Sequence, residues 1–289
     1  MAENTHRMNG KICIVTGAAS GIGAVTAHAL AQQGASVVIV DNNVDKGLAT
    51  TRLIQEQTGN SAVEFFQADL SSQQEIRDLV KRFLTRYQHL DVLVNNAGAM
   101  FAERKESVDG IEMTLALNYL GYFLLTNLLL DTLKTSVPAR IVNVSSRSHA
   151  RAKMDFEDMQ FRSGYTSLHA YERSKLAIIL FTYELARRLS GSGVTANTLH
   201  PGVVATDFAR EGGGMMGLIV RLFHFGFITP EQGAQTSIFL ATSPKVEGVT
   251  GKYFVKYKSV PSSPASYDEV AATRLWRWSE GQTNIHVVA

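Results

Sequence analysis

Short apolar runs alternate with longer stretches of helical periodicity along most of the chain. Several of the runs are apolar at every position, which is typical of strands that are buried on both faces of a parallel sheet. The alternation predicts strand-helix-strand units in a single α/β domain, with helices on both faces of a parallel seven-stranded sheet. The predicted strands are Ile12–Thr16, Ser36–Val40, Val63–Gln67, Val92–Asn95, Arg140–Ser145, Thr195–Leu199 and Tyr253–Val255.

Capping patterns mark the starts of three predicted helices. Ser72–Glu75 and Ser266–Glu269 each have the Ser-x-x-Glu spacing of a capping box, and Thr229-Pro230 matches an N-cap followed by the first helical residue. No internal repeat or low-complexity segment interrupts the series. Residues 1–289 are therefore predicted to form one domain with a short tail from about residue 259.

One segment has almost the length and hydropathy of a membrane span. Met113–Leu130 contains 18 uncharged residues, which is near the lower limit for crossing a bilayer. It also contains Asn118 and Asn127, and a helix that is apolar nearly all round is equally typical of a buried core. We interpret it as a core helix. Because the N-terminal sequence MAENTHRMNG is polar, we expect no secretion, no membrane anchor and a cytoplasmic location.

Composition narrows the class of protein further. The chain has 289 residues, of which 45% are hydrophobic and 19% charged, an ordinary globular profile. Its formal net charge of +2 comes from interleaved signs, so we expect no nucleic-acid partner. The single cysteine, Cys13, excludes an internal disulfide and favours a reducing compartment. His149, His169 and His200 lack metal-ligand spacing, so we expect no metal.

A glycine-rich turn follows the first predicted strand and opens a helix predicted over Ile22–Gln33. The turn reads Thr16-Gly-Ala-Ala-Ser-Gly-Ile-Gly23. Glycines let a backbone approach a pyrophosphate closely, and the helix N-terminus supplies amide donors. The spacing differs from the Gly-x-Gly-x-x-Gly fingerprint, so a plain tight turn is the alternative. The candidate cofactor contacts in this turn are Gly17, Ser20, Gly21, Ile22 and Gly23.

Acidic residues follow the second predicted strand and the third. Asp41, with Asn42 beside it, is placed to accept a hydrogen bond from an adenosine ribose 2′-hydroxyl, and its charge would repel a 2′-phosphate. This favours NAD over NADP, with a solvated turn aspartate as the alternative. Asp69 and Leu70 are candidates for contact with the adenine, although Asp69 equally fits a residue that precedes the next helix.

A tyrosine and a lysine lie four residues apart in Tyr171-Glu-Arg-Ser-Lys175. On a helix this spacing places one side chain above the other. A nearby cation favours the phenolate, so the pattern predicts a lowered pKa for the tyrosine. Ser146, which follows a predicted strand, is a candidate to hold a substrate oxygen beside the phenol.

Together these motifs resemble those of the short-chain dehydrogenases/reductases, over nearly the whole chain. The resemblance implies a Rossmann-type, doubly wound fold and a nicotinamide cofactor. It rests on the turn Thr16–Gly23, on Asn95-Asn96-Ala97-Gly98, on Ser146 with Tyr171 and Lys175, and on His200-Pro201-Gly202 with Thr206.

The resemblance also implies roles for individual residues. Tyr171 would be the general acid/base, Ser146 would orient the substrate oxygen, and Lys175 would lower the tyrosine pKa and bind the nicotinamide ribose. Asn118 would complete the catalytic tetrad by holding a water that relays protons, with a satisfied core asparagine as the alternative. The remaining implied cofactor contacts are Asn95, which would brace the central strands, Ala97, Gly98, Pro201, Gly202, Val204 and Thr206.

Two further regions suggest a branch of the family. Twenty-four residues, Arg147–Ala170, separate Ser146 from Tyr171. Together with residues 275–280, this insert resembles the retinol-dehydrogenase and WW-domain-oxidoreductase-like branch. Members of that branch often carry a membrane anchor and an arginine suited to NADP; this chain is expected to have neither.

Residues 208–227 resemble a mobile apolar flap over the substrate, with a helix packed against the body or a partner as the alternative.

The sequence therefore predicts an NAD-dependent alcohol dehydrogenase or ketoreductase for a lipophilic or aromatic substrate. The rival is a non-catalytic NAD-sensing interaction protein on the same fold, which would not need Tyr171 and Lys175. A nucleotide-sugar epimerase is disfavoured by the glycine spacing and by the lack of a substantial C-terminal domain. By analogy we expect a homodimer or homotetramer, with the Met113–Leu130 helix and the Tyr171 helix as candidate contact surfaces.

Overall fold

The computed structural model describes residues 7–202 and 228–285. The strands are β1 Ile12–Thr16, β2 Ser36–Asp41, β3 Val63–Gln67, β4 Val92–Asn95, β5 Ala139–Val144, β6 Val194–His200, β7 Tyr253–Val255 and β8 Lys258–Val260. They form one sheet with the order β3-β2-β1-β4-β5-β6-β7-β8. The first seven strands run parallel, and β8 pairs antiparallel with β7. The predicted parallel sheet is confirmed.

Helices cover both faces of the sheet. They are α1 Gly21–Gln32, α2 Val44–Thr58, α3 Gln73–Arg86, α4 Met113–Leu115, α5 Gly121–Leu128, α6 Leu130–Lys134, α7 Ser167–Arg188, α8 Pro230–Thr242 and α9 Glu269–Thr283. One core layer includes Leu30 of α1, Ile54 of α2 and Leu240 of α8. The other joins α3, α5, α7 and α9 through residues such as Phe83 and Phe181. This is the predicted doubly wound α/β architecture.

The sheet has eight strands rather than the seven predicted. β7 and β8 are joined by Lys256 and Tyr257, whose φ angles are 47° and 67°. A tight type I′ hairpin requires positive φ at both of its central residues. This turn lacks the Asn-Gly or Asp-Gly sequence that usually marks such a hairpin, and β8 is only 3 residues long. Neither signal of a hairpin is therefore visible in the sequence.

Two of the predicted helix caps are confirmed. Thr229 caps α8 and completes a capping box with Gln232. Ser72 caps α3 by accepting a hydrogen bond from the N–H of Glu75 at 3.3 Å. The Glu75 carboxylate accepts from the N–H of Asp69 at 2.8 Å instead of closing the box. The signal at Ser72 therefore locates the helix correctly, although the reciprocal bond is made elsewhere.

The cap predicted at Ser266 is wrong. α9 begins at Glu269, and Asp268 caps it by accepting a hydrogen bond from the N–H of Ala271 at 2.9 Å. The hydroxyl of Ser266 is engaged at 2.6 Å with the hydroxyl of Ser262. An aspartate immediately before the helix is a strong N-cap, so it takes precedence over a serine two residues upstream.

Met113–Leu130 lies in the core, as predicted, although it does not form one regular helix. α4 passes through a π-helical turn, Ala116–Leu120, into α5. Tyr119 and Phe123 are fully buried. Within residues 7–202 and 228–285, no helix has both the length and the apolar character that crossing a bilayer requires.

α9 covers the face that α5 and α7 share. Trp276 is 1% exposed, and its ring lies edge-on to Phe123 at 5.1 Å and stacked on Phe181 at 5.8 Å. The guanidinium of Arg188 lies over the indole at 4.1 Å. These helices are the ones expected to offer contact surfaces to a second subunit. A subunit that used this face would first have to displace α9.

We expect Trp276→Ala to lower the free energy of unfolding by about 3–5 kcal/mol, because it leaves a cavity between α5 and α7. Trp276→Phe is the matched control. It keeps an aromatic ring and removes an indole N–H that has no hydrogen-bond partner within the part of the chain that the structure describes, so a clearly smaller loss is expected. Chemical denaturation followed by circular dichroism measures both values. Equal losses in the two variants would contradict this account of the contact.

Candidate active site

The candidate site lies where the carboxyl ends of β1, β4, β5 and β6 come together. The strand order reverses between β1 and β4, and ligands of open parallel sheets bind in the crevice at such a point. The glycine-rich turn follows β1, Ala97 and Gly98 follow β4, Ser146 follows β5 and Pro201 follows β6. The topology thus brings together four segments that are far apart in the sequence.

Steric contacts require glycine at two positions of the turn after β1. Gly17 has a φ of 62°, and a Cβ atom there would lie 2.7 Å from the Cα of Ala97. A Cβ atom at Gly23 would lie 2.2 Å from the carbonyl oxygen of Gly17. Both glycines are therefore needed by the protein's own packing. The close approach of a pyrophosphate to this turn is a separate prediction.

Asn96 fixes the same turn, a role that sequence reasoning missed. Its Nδ2 donates to the carbonyl oxygen of Thr16 at 2.8 Å and to that of Gly17 at 3.1 Å. Its backbone N–H donates to the hydroxyl of Thr16 at 2.9 Å. The only signal in the sequence is its place beside Asn95, because the contact joins the ends of two strands that are distant along the chain.

The N-terminus of α1 is suited to an anion. Ser20 is its N-cap and makes no side-chain capping bond, and the first turn contains no acidic residue. Among the described residues, the other five helices of twelve or more residues are each capped by a side chain. Free amides at a helix N-terminus and the positive end of its dipole bind phosphate groups. Gly21 and Ile22, in the first turn, therefore fit the pyrophosphate of a dinucleotide.

Asp41 ends β2 beside this turn. Its Oδ2 accepts a hydrogen bond from the N–H of Ala19 at 3.1 Å, and its Oδ1 accepts one from the N–H of Asn43 at 3.1 Å. A carboxylate oxygen accepts more than one hydrogen bond, so the half-buried Asp41 retains capacity for a ribose hydroxyl. Asn42 is exposed next to it.

Asp69 shapes the turn that precedes α3. Its Oδ1 accepts hydrogen bonds from the N–H and from the hydroxyl of Ser71, both at 2.8 Å. Leu70 is buried between them. These contacts fit the alternative in which Asp69 precedes the helix for structural reasons, and contact with an adenine ring stays a prediction.

Asn95 braces the central strands, as expected. It is fully buried, and its Nδ2 donates to Oδ1 of Asn143 on β5 at 2.8 Å and to the hydroxyl of Thr126 on α5 at 3.0 Å. The side chain therefore ties two strands to a helix, and any influence on a cofactor is exerted through the backbone that follows it, at Ala97 and Gly98.

Asn118 lies in the π-helical turn and is fully buried. Its Nδ2 donates to the carbonyl oxygen of Ala99 at 3.0 Å and to the hydroxyl of Ser174 at 3.1 Å. Its Oδ1 accepts from the N–H of Ala99 at 2.8 Å. These are the bonds of a satisfied core asparagine. Because π-helical turns are frequent at functional sites, the binding of a proton-relaying water by Asn118 stays a prediction.

Ser146, Tyr171 and Lys175 lie side by side at the start of α7. The hydroxyls of Ser146 and Tyr171 are hydrogen-bonded. The Nζ of Lys175 lies 5.4 Å from the centroid of the Tyr171 ring and donates to the carbonyl oxygen of Val144 at 3.1 Å. A Cβ atom at Gly98 would lie 3.5 Å from the same Nζ. The geometry thus brings a hydroxyl, a phenol and an amine together beside the carboxyl end of β5.

Burial dominates the protonation of this group. It raises the pKa of Tyr171 to about 12, an effect that the hydrogen bond with Ser146 offsets only in part. The pKa of Lys175 falls to about 7 because its ammonium is buried. The predicted lowering of the Tyr171 pKa is therefore wrong for this arrangement. Loss of hydration outweighs the attraction of an amine that is itself only partly charged at neutral pH.

The segment after β6 is described only at its start. Pro201 and Gly202 are half-buried, and Gly202 has a φ of 104°, which favours glycine. The predicted cofactor contacts at Val204 and Thr206, and the predicted flap at 208–227, lie outside the described residues.

Comparison with known proteins agrees with this geometry. A family model for short chain dehydrogenases matches residues 11–215. Retinol dehydrogenase 11 of Homo sapiens is 44% identical over 276 residues, which span 96% of this chain and 86% of that protein. Polyprenol dehydrogenase of Homo sapiens is 43% identical over 95% of this chain and 86% of its own length.

Solved structures show the same fold. An uncharacterised protein from Mycobacterium paratuberculosis superimposes with a TM-score of 0.80 at 32% identity, covering 100% of this chain and 98% of that one. A short chain dehydrogenase from Burkholderia cenocepacia, solved in complex with NADP, gives a TM-score of 0.69 at 28% identity over 86% of this chain and 97% of its own.

Proposed function

This chain belongs to the short-chain dehydrogenase family, and from that premise we propose that it is an NAD-dependent enzyme with Tyr171 as its general acid/base. It is an oxidoreductase of alcohols and carbonyl compounds, as its retinol and polyprenol dehydrogenase relatives are by name. The proposed substrate is a lipophilic or aromatic alcohol, primary or secondary, together with the aldehyde or ketone derived from it.

The hydrogen bond between the hydroxyls of Ser146 and Tyr171 carries this proposal. A substrate oxygen that replaces one partner of this bond would be held by Ser146 and would exchange its proton with the phenol oxygen of Tyr171. Oxidation moves the alcohol proton to Tyr171, and reduction returns it to the new alkoxide. When bound, the nicotinamide ring accepts or supplies the hydride. The protein's share is orientation and proton transfer.

Lys175 links the proton site to the cofactor site. Its Nζ lies between the carbonyl oxygen of Val144, 3.1 Å away, and the backbone at Gly98. From this position the amine can donate to a ribose hydroxyl while it acts electrostatically on Tyr171. The half-buried environment that raises the tyrosine pKa also makes the charge of Lys175 effective, because screening by water is weak there.

The preference for NAD rests on the end of β2. Asp41 has a carboxylate beside the glycine-rich turn, with the exposed Asn42 next to it. A 2′-phosphate placed there would meet a negative charge, whereas a 2′-hydroxyl would find an acceptor. The uncapped N-terminus of α1 would hold the pyrophosphate.

A lipophilic substrate is supported by the relatives and by the insert before α7. Met159 and Phe161 of the insert are buried, and Arg173 of α7 lies over the Phe161 ring at 3.6 Å. The Tyr165 hydroxyl donates to the carbonyl oxygen of Phe101 at 2.8 Å. The insert is thereby fixed to the segment that follows β4.

Replacing Tyr171 by Phe should lower kcat/KM by at least about a hundredfold, because the hydroxyl proposed to exchange a proton with the substrate is lost. The test is NADH formation with a panel of lipophilic alcohols. Tyr183→Phe, on the same helix with its hydroxyl bound to Ser262 at 2.8 Å, is the matched control and should stay close to the wild type. Retained turnover in Tyr171→Phe would refute the proposed role.

An inactive wild-type protein would have a different meaning. If no alcohol or carbonyl compound is converted while NAD raises the melting temperature, the non-catalytic NAD-sensing function gains support. Partner binding that depends on NAD would then be the measurement to make.

Changing Asp41 to Ala together with Asn42 to Arg should shift cofactor preference toward NADP by at least about tenfold in kcat/KM, because a repulsive charge is replaced by an attractive one. Asp45→Ala is the matched control, since it removes an exposed acidic residue from the first turn of α2. An unchanged ratio in the double variant, or an equal shift in the control, would count against the ribose assignment.

The rate of oxidation should rise with pH, whereas the rate of reduction should fall. As pH rises, the first proton leaves Lys175 near pH 7 and the second leaves Tyr171 near pH 12. The phenolate-ammonium form that abstracts a proton carries one proton, so its population rises up to about pH 7 and is level above it. Oxidation should follow this curve, and reduction, which uses the doubly protonated pair, should fall above about pH 7.

Initial rates in both directions between about pH 5 and pH 9 test this expectation. Lys175→Met should abolish the inflection near pH 7. An oxidation rate that does not depend on pH in the wild type would be inconsistent with the assigned proton acceptor.

A further inference from the structure

Two buried histidines lie on either side of the peptide group that joins Ser146 to Arg147. The Nδ1 of His149 is 2.6 Å from the carbonyl oxygen of Ser146. The N–H of Arg147 donates to the Nδ1 of His200 at 3.3 Å. His149 is 2% exposed and His200 is 8% exposed. Both polar atoms of this one peptide group are therefore bound by imidazole rings.

The hydrogen-bond partners fix the form of each ring. The Nε2 of His149 accepts from the N–H of Ser263 at 3.1 Å, so its Nδ1 must carry the hydrogen that meets the Ser146 carbonyl. The Nδ1 of His200 faces an N–H donor, so it must be unprotonated. Burial lowers the pKa of both rings, that of His200 to about 4 with help from Arg147 and His149. Both rings are therefore neutral near pH 7.

A peptide group held at its oxygen and at its nitrogen cannot rotate freely. This peptide plane sets ψ of Ser146, which is 156°, and the backbone of Ser146 directs its hydroxyl toward Tyr171. We propose that His149 and His200 are positioning residues, which hold the Ser146 hydroxyl in the orientation that the reaction needs. The proposal rests on the function assigned above, and neither imidazole touches the reacting atoms.

The two rings are themselves held from different sides of the molecule. His200 is the last residue of β6 and precedes Pro201. His149 is bound to Ser263, between β8 and α9, and its ring lies edge-on to Tyr253 of β7 at 5.1 Å. The orientation of Ser146 thus depends on β6 and on the segment before α9. The carbonyl of Ser146 also accepts the N–H of His149 at 3.3 Å, so loss of one ring loosens the peptide without freeing it.

Paired substitutions test this role. His149→Phe keeps a ring against Tyr253 but removes the donor, and His200→Leu removes the acceptor. Each should lower kcat on the order of tenfold to a hundredfold, with KM for the alcohol and the affinity for NAD within about threefold of wild type. His149→Asn restores a donor near the Nδ1 position, and His200→Asn restores an acceptor there, so both should recover most of the lost kcat.

Combining the histidine substitutions with Ser146→Ala tests whether the two histidines act through Ser146. In a Ser146→Ala background, His149→Phe and His200→Leu should cause no further loss of kcat, because the hydroxyl that they position is gone. Losses that multiply in that background would overturn the proposal, as would wild-type kcat in His149→Phe or a lack of rescue by the Asn variants. Melting temperatures of all variants show which of them fold.

An exchange measurement separates this inference from the proposed function. Hydrogen exchange of the Arg147 amide should become at least about tenfold faster in His200→Leu than in the wild type, while the amides of β1 keep their rates. This readout needs no substrate. If the wild type converts no alcohol but the amide responds, the assigned function fails and the histidine contacts stand. An unchanged Arg147 exchange rate would overturn the inference whatever the activity.

Discussion

The position of every proposed catalytic group depends on a buried hydrogen bond between the side chains of Asn95 and Asn143 at the ends of β4 and β5. Nδ2 of Asn95 reaches Oδ1 of Asn143 at 2.8 Å, and Nδ2 of Asn143 donates to the hydroxyl of Thr182 on α7 at 2.9 Å. The Nδ2 of Asn95 also donates to the hydroxyl of Thr126 on α5. Among the described residues the buried Oδ1 of Asn95 has no hydrogen-bond partner, whereas the two Nδ2 groups are paired and tie both helices to the sheet. α5 continues from the turn that bears Asn118, and α7 bears Tyr171 and Lys175. The asparagine pairing therefore acts on their distance from Ser146 together with the bonds from the Ser145 hydroxyl to the Lys175 carbonyl and from the Lys175 Nζ to the Val144 carbonyl.

Dehydration gives this site its chemical character. The same burial that raises the pKa of Tyr171 lowers that of Lys175, and both changes reduce the charge that these two side chains carry at neutral pH. A neutral phenol and a partly neutral amine avoid a permanently buried ion pair, which would be expensive to desolvate. In the proposed mechanism, charge develops only during proton transfer, close to Lys175. Under that proposal, the orientation of the reacting groups contributes more than a permanent field does.

Much of the fold follows from local sequence signals, and the exceptions have physical causes. Apolar runs located β1 to β7 because strands buried on both faces leave little choice of residue. β8 is not predicted because its turn and its polar residues carry no local signal. The Ser-x-x-Glu spacing predicts a cap at Ser266, but Asp268, two residues later, is the stronger acceptor and caps the helix instead. In the site, the spacing of Tyr171 and Lys175 on one helix was visible. The contact of His200 with Arg147 was not, since it depends on the register that pairs Val144 with Leu199 across β5 and β6. The direction of the Tyr171 pKa shift could not be predicted from nearby residues in the sequence either, because desolvation depends on all the segments that surround the ring.

The covering of α5 and α7 by α9 has a consequence for how the chain is made. Phe123 and Phe181 gain their contact with Trp276 only after α9 has been synthesised and has packed. Roughly 80 residues separate the end of α7 from the start of α9. At about 5–20 residues per second, a ribosome needs several seconds to supply them. Throughout that interval the nascent chain displays an aromatic surface that its own sequence has not yet covered. Such a surface is a target for a chaperone, and a messenger that terminates early would yield a polypeptide with this surface permanently open to aggregation.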